Sequence, residues 1–178
     1  MTTSISSIWI IGLSSAGKST IAKRLADRLQ TIGRASVIVD GTEVRDLFDK
    51  KLGYDPQSRR KQTDRIKKLA SWISGNGVLP IVAIIHPFED DREVCRREMP
   101  GYFEIFLDCD LKTLTARDNK NLYMPAVKGE KKHVVGIDIP YEQPKNADLV
   151  IDSANSDADE ILELIWTKVL PHLQEDAA

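Results

Sequence analysis

The sequence predicts a three-layer α/β fold in which a five-stranded parallel sheet carries helices on both faces. Three observations support it. Five short apolar segments alternate with segments of helical or crossover length, one of those strands is apolar almost throughout, and the first runs through a glycine turn straight into an amphipathic helix. At about 100–200 residues per domain, a chain of 178 residues makes a single domain, 1–178.

The first strand, Ser7 to Ile11, is β-branched and aromatic and ends at Gly12. A helix beginning near Lys18 follows. Ile21, Leu25 and Leu29 recur along it at four-residue spacing, and its apolar face ends before Gly33. A second strand, Ala35 to Val39, leads into Asp40-Gly41. The third, Val78 to Ile85, has the composition of a strand covered on both faces, with Pro80 near its beginning because proline cannot donate to a central ladder. Tyr102 to Leu107 and Leu149 to Ile151 complete the set. The last helix, from about Asp157, puts Ile161, Ile165 and Val169 on one core-facing stripe with Leu162, Trp166 and Leu173 beside it. Between Asn119 and Pro144 periodicity fails, with three prolines, two glycines and several lysines. A structureless stretch of that length is usually functional or disordered, and of the two a mobile lid over 119–145 is expected.

Composition excludes several function classes. With 25 Lys and Arg against 27 Asp and Glu, the chain lacks the basic excess of a general nucleic-acid binder. Its apolar runs fall far short of the roughly 20 residues a membrane span needs, so no membrane partner is expected. Cys95 and Cys109 are the only cysteines, too few for a disulfide scaffold or a four-thiolate metal site. Met1 to Ser7 has no secretory pattern, and a cytoplasmic location is the expectation.

Gly12-Leu13-Ser14-Ser15-Ala16-Gly17-Lys18-Ser19 matches the phosphate-loop pattern G-x-x-x-x-G-K-[ST], with Thr20 following. Small residues let successive backbone N–H groups curl around phosphate oxygens, and the start of the next helix adds its positive end. Lys18 is expected to reach the β- and γ-phosphates of ATP, and the Ser19 hydroxyl to coordinate Mg²⁺. A three-layer phosphate-loop nucleoside triphosphate hydrolase fold follows. Asp40 falls at the carboxyl edge of the sheet, where open α/β folds bind ligands. It is a candidate metal ligand or base, or alternatively only the cap of the helix starting near Thr42.

Six motifs in order, GLSSAGKST, DGTEVR, LGYDPQSRR, IIHPFEDDR, LDCDLKTLTARDNKNLY and GIDIPYEQP, resemble those of the adenylylsulfate kinase family, from Trp9 to about Ile151. The resemblance implies transfer of the γ-phosphoryl of Mg-ATP to the ribose 3′-hydroxyl of adenylyl sulfate, and a homodimer. It implies that Arg45, Arg59, Arg65 and Arg92 contact the acceptor's anionic and ribose groups and that Tyr54 stacks on its base. Gln62, Ile85, His86, Pro87, Lys120, Leu122, Val134 and Gly136 complete the implied acceptor site, while Arg117 packs on the ATP base. Lys18 and Asp40 take the catalytic roles.

The sequence departs from that family pattern at several places. Thr42 stands where a second carboxylate is usual, Val134 where a second stacking aromatic is usual, Gln62 replaces an asparagine, Asp64 an arginine and His86 a serine. These changes lie on the acceptor side. Two further readings follow from them, a kinase of another anionic nucleotide such as cytidine diphosphoramidate and a nucleotide-binding regulator of low activity. Charge is also uneven. From Asp152 onward seven acidic residues accompany Lys168 alone, so the remainder holds 24 basic and 20 acidic groups, with six basic and one acidic between Arg59 and Lys68.

Overall fold

The computed structural model describes residues 4–173; Glu175 and Asp176 of the acidic C-terminal stretch lie outside them. Five strands, β1 (Ser7–Ile11), β2 (Ser36–Asp40), β3 (Leu79–Ile84), β4 (Tyr102–Asp108) and β5 (Leu149–Asp152), form one parallel sheet in the order β2-β3-β1-β4-β5. β1 is central, and its neighbours β3 and β4 follow it only after crossovers. The sheet therefore divides at the end of β1, the place where ligands bind in such folds. The five expected strands are all present, with bounds that differ by a residue or so.

The central strand explains why its sequence does not alternate. Ile8 and Ile10 join the cluster beneath α1 (Lys18–Thr31) and α7 (Ala158–Leu173), while Trp9 and Ile11 join the cluster beneath α3 (Pro56–Gly75) and α4 (Glu89–Glu98). Both faces are covered, so polar alternation has no place to occur. Pro80 is the second residue of β3, opposite Val37. On α1, Ile21, Leu25 and Leu29 are buried as the spacing predicts; Ile161, Ile165 and Val169 do the same on α7. The start of α7 is a reciprocal capping pair, in which the Glu160 backbone donates to Asp157 and the Asp157 backbone donates to the Glu160 carboxylate, each at 2.9 Å.

Short helices α2 (Gly41–Asp46), α5 (Leu111–Ala116) and α6 (Tyr123–Val127) sit at the carboxyl ends of the strands. The last lies inside the stretch that lacks sequence periodicity, because five residues are too few to show one. That stretch is packed against the body: Tyr123, Ala126, Val134, Val135 and Ile139 are buried. Two carboxylates template its irregular backbone. Asp118 accepts from the N–H of Leu122 and Tyr123 at 2.6 and 2.8 Å, and Asp138 from those of His133 and Val134, both at 2.6 Å.

At the opposite, amino end of the sheet, Gly101 has φ +71° and its carbonyl accepts from Ser6 and Ser7. A side chain there would meet the Ser4 carbonyl and the Ser6 nitrogen, the latter at 2.7 Å. Gly101→Ala should therefore lower unfolding free energy by about 1–3 kcal/mol in denaturant titration while leaving nucleotide affinity unchanged.

Candidate active site

A cavity of about 690 Å³ opens at the carboxyl edge of the sheet and runs from the phosphate loop to the start of α3. Its floor is the first turn of α1. Gly17 reaches it with φ +94°, and Ser15 is held in the left-handed region at φ +67°, so the loop backbone turns sharply before the helix begins. Ser14, Ser15, Gly17, Lys18, Ser19 and Thr20 line the cavity. Gly12, Leu13 and Ala16 stand behind them. Gly12 is obligatory there, since a Cβ would lie 2.6 Å from the Leu107 carbonyl. Lys18 donates to the Leu13 carbonyl at 2.6 Å. Burial lowers its pKa to about 8; the Asp40 carboxylate opposes that shift and Lys120 adds to it.

Asp40 does two things at once. One carboxylate oxygen accepts from the Ser19 hydroxyl at 2.5 Å, and the other from the Thr42 backbone at 2.8 Å, capping α2. The capping reading of this residue holds, and the same carboxylate also lines the cavity. Burial would raise its pKa, but the hydrogen bonds from Ser19 and from the backbone of Thr42 and Glu43, with the charge of Lys120, outweigh it and hold the carboxyl below its ordinary value. It is the one acidic residue lining the cavity among the described residues, against Lys18, Arg45, Arg59, Arg117, Lys120, Lys131 and Lys132. Such a balance suits polyphosphate ligands.

On the far side, Arg45 donates to the Leu52 and Gly53 carbonyls, and Arg59 donates to Tyr54 and His133 carbonyls at 2.8 and 2.9 Å. Their guanidinium groups lie 4.5 and 5.6 Å over the ring of Tyr54, which is 56% exposed. Burial first, then Arg45, lowers Arg59 to about 10, so it remains a cation at neutral pH. Gln62 and His86 are only 4% and 1% exposed, and both polar atoms of each side chain lack a hydrogen-bond partner within the protein. His86 is lowered to about 3 by burial and by Arg92, and is therefore a neutral imidazole. Ile85, Pro87, Leu122 and Val134 also line the cavity. Lys120 reaches across to the Thr42 hydroxyl at 3.4 Å, and Arg117 is anchored on the Ser153 and Ala154 carbonyls.

Three expected contacts are corrected by the packing. Arg92 does not line the cavity: its guanidinium is buried, paired with Glu89, and donates to the His86 and Glu142 carbonyls, each at 2.5 Å. It clasps the loop after β3 to the segment around Glu142. Arg65 points away too, lying 4.5 Å over the Phe48 ring and donating to the Lys50 carbonyl. Gly136, with φ +92°, lets the chain pass close to Leu13, where a Cβ would stand 3.2 Å from a methyl group. Its part is close packing.

Conversely, Lys131, Lys132, His133 and Thr63 line the cavity without having been singled out. Thr63 was legible, because Arg59, Gln62, Thr63 and Ile66 are one helical stripe at i, i+3, i+4 and i+7, a stripe that also leaves out Arg65. Lys131, Lys132 and His133, in the irregular segment, offered no such periodicity.

The fold and this site define a phosphate-loop kinase: a phosphate loop after the central strand, an acid at the end of β2, and a cationic arm continuing the same cavity. The chain belongs to the adenylylsulphate kinase family, whose profile matches residues 4–152. It is 35% identical over 167 residues to the adenylyl-sulfate kinase of Clostridium kluyveri, covering 91% of this chain and 84% of that one. It is 34% identical to a probable adenylyl-sulfate kinase of Pyrococcus abyssi, covering 90% and 92%. Against a probable bifunctional SAT/APS kinase of Sorangium cellulosum, 36% identical, it spans 28% of the longer protein. The Mycobacterium tuberculosis APS kinase, solved with AMPPNP and APS, superposes with TM-score 0.87 at 30% identity, covering 96% and 99% of the two chains.

The lowered pKa of Lys18 has a measurable sign. Phosphates bind the ammonium form, so nucleotide binding takes up a proton once pH passes about 8. Affinity for ATP should weaken by up to about tenfold per pH unit above that point, with proton uptake seen by calorimetry in buffers of different ionisation enthalpy. A constant affinity across that range contradicts the assignment.

Proposed function

We propose that this chain is an ATP-dependent adenylylsulfate kinase, transferring the γ-phosphoryl group of ATP to the 3′-hydroxyl of adenylyl sulfate. The observation that carries the reading is the continuity of one cation-lined cavity from the phosphate loop to the arm formed by Arg45, Tyr54 and Arg59. Two anionic nucleotides end to end require such a surface. Lys18 would exchange the Leu13 carbonyl for phosphate oxygens, with loop amides around the same group, and Arg117 would pack on the ATP base. Arg45 and Arg59 would hold the acceptor's anion, with Tyr54 against its base and Lys120, Leu122 and Val134 closing over it.

Ser19 and Asp40 are an all-oxygen pair already in contact at 2.5 Å, a donor set that fits a hard divalent cation such as Mg²⁺. Bound there with ATP, the ion would neutralise charge on the β- and γ-phosphates. Asp40 is a weak base at its depressed pKa. That is tolerable for phosphoryl transfer, whose loose transition state asks mainly for positioning and electrostatic stabilisation. Thr42 supplies a hydroxyl to Lys120 where a second acid would stand. Residues 119–145 serve as the lid. A homodimer and a cytosolic location belong to the same reading and rest on the family resemblance.

The unpartnered atoms of Gln62 and His86 favour an acceptor with neutral hydrogen-bonding groups at that end of the cavity. Another anionic nucleotide, such as cytidine diphosphoramidate, therefore belongs in the same assay. ADP release should occur with adenylyl sulfate and fall at least about a thousandfold in Lys18→Ala. Turnover with the cytidine compound alone would replace the acceptor, and unimpaired Lys18→Ala would overturn the phosphate-loop assignment.

The two arginines separate the acceptor geometry from its sequence pattern. Arg59→Ala should raise the acceptor KM about tenfold or more, as expected for loss of a charged hydrogen bond. Arg65→Ala, outside the cavity, should change it less than about twofold. Equal effects in steady-state kinetics would count against the observed side-chain arrangement.

A further inference from the structure

Tyr123 is the first residue of α6, 0% exposed, and its phenol donates to the backbone carbonyl of Ser14 in the phosphate loop at 2.9 Å. The contact joins residues 109 apart in sequence. Ser14 C=O and Ser15 N–H belong to one trans peptide plane and so point in opposite directions. Holding the carbonyl against Tyr123 turns the Ser15 N–H the other way, toward the phosphate side of the loop. Ser15 needs such support, since φ +67° is a conformation that a non-glycine residue seldom adopts.

The phenol is itself fixed from behind. The Asp118 carboxylate accepts from the Tyr123 N–H at 2.8 Å and the Leu122 N–H at 2.6 Å, and it also receives the Lys120 N–H at 3.3 Å. The same turn sends the Lys120 ammonium to the Thr42 hydroxyl at 3.4 Å. One carboxylate thus sets both the phenol that grips the phosphate loop and the lysine that reaches the end of β2. Burial, with Asp118 adding to it, raises the phenol's pKa well above its ordinary value, so it remains a donor at any working pH.

We infer that Tyr123 is a positioning residue for phosphoryl transfer: its hydroxyl orients the Ser14–Ser15 peptide so that the Ser15 amide faces the nucleotide phosphates, and Asp118 registers this contact with Lys120. The inference rests on the phosphate-loop reading of the site, and not on which acceptor is used.

The test is Tyr123→Phe, which keeps the ring in its buried place and removes one oxygen. Equilibrium affinity for Mg-ATP should fall about tenfold by calorimetry, whereas affinity for AMP, which lacks the β- and γ-phosphates, should change less than twofold. A purely structural role for the hydroxyl would weaken both or neither. Asp118→Asn should weaken Mg-ATP binding through the same contact, and the double variant should bind within about twofold of the weaker single one, because both act through one peptide. Unchanged ATP affinity in Tyr123→Phe, or multiplicative losses in the double variant, would overturn the proposal. Because the readout is nucleotide binding, a wild-type chain that binds ATP but does not turn over adenylyl sulfate would refute the proposed acceptor and leave this test intact.

Discussion

Asp40 places its two carboxylate oxygens on two different elements, one on the first turn of α1 through Ser19 and the other on the first turn of α2 through the Thr42 backbone. The relative position of those two helix starts is the geometry of the site, because α1 carries the phosphate loop and α2 leads to Arg45. Among the described residues, the same carboxylate is the lone acidic group lining a cavity of lysines and arginines. At an effective dielectric of about 20, two unit charges 4 Å apart interact by about 4 kcal/mol, so a cationic cluster without any counter-charge would resist assembly. Asp40 reduces that repulsion before any nucleotide is bound, and ligand phosphates complete the neutralisation.

This arrangement also explains how Thr42 can occupy its position. Its backbone N–H donates to the Asp40 cap, a task any residue but proline could perform, and its side chain offers Lys120 a hydroxyl. What is lost is a second negative charge, and with it some counterweight to Lys120. The chemistry that remains depends less on removing a proton than on holding charges in place.

The irregular segment between α5 and β5 follows the same economy. It contains little regular secondary structure, yet its backbone is satisfied by carboxylates at 118 and 138 and by the Arg92 clasp at Glu142. Buried Tyr123 joins it to the phosphate loop and the His133 carbonyl joins it to Arg59. Both ends of the cavity are therefore tied to one stretch of chain.

Local chemistry made much of this readable in one dimension. The strands, the phosphate loop, the apolar faces of α1 and α7, and Asp40 at the sheet edge all follow from spacing and residue type within a few positions. Which arginines serve the cavity followed only in part, once the face of α3 that meets the cavity was known. Arg59 and Arg65 look alike in sequence, but the stripe of α3 that faces the cavity includes the first and excludes the second. Arg92 lies in a motif beside the site and is consumed by Glu89 and two carbonyls. Lys131, Lys132 and His133 come to the cavity beside a turn held by the Asp138 carboxylate, without any period to announce them. The sequence alone determined the family of elements and the phosphate chemistry, because those depend on neighbours along the chain. Tertiary structure alone decided which charges face the ligands and which are spent on the fold, because a guanidinium has one set of donors and packing chooses who receives them.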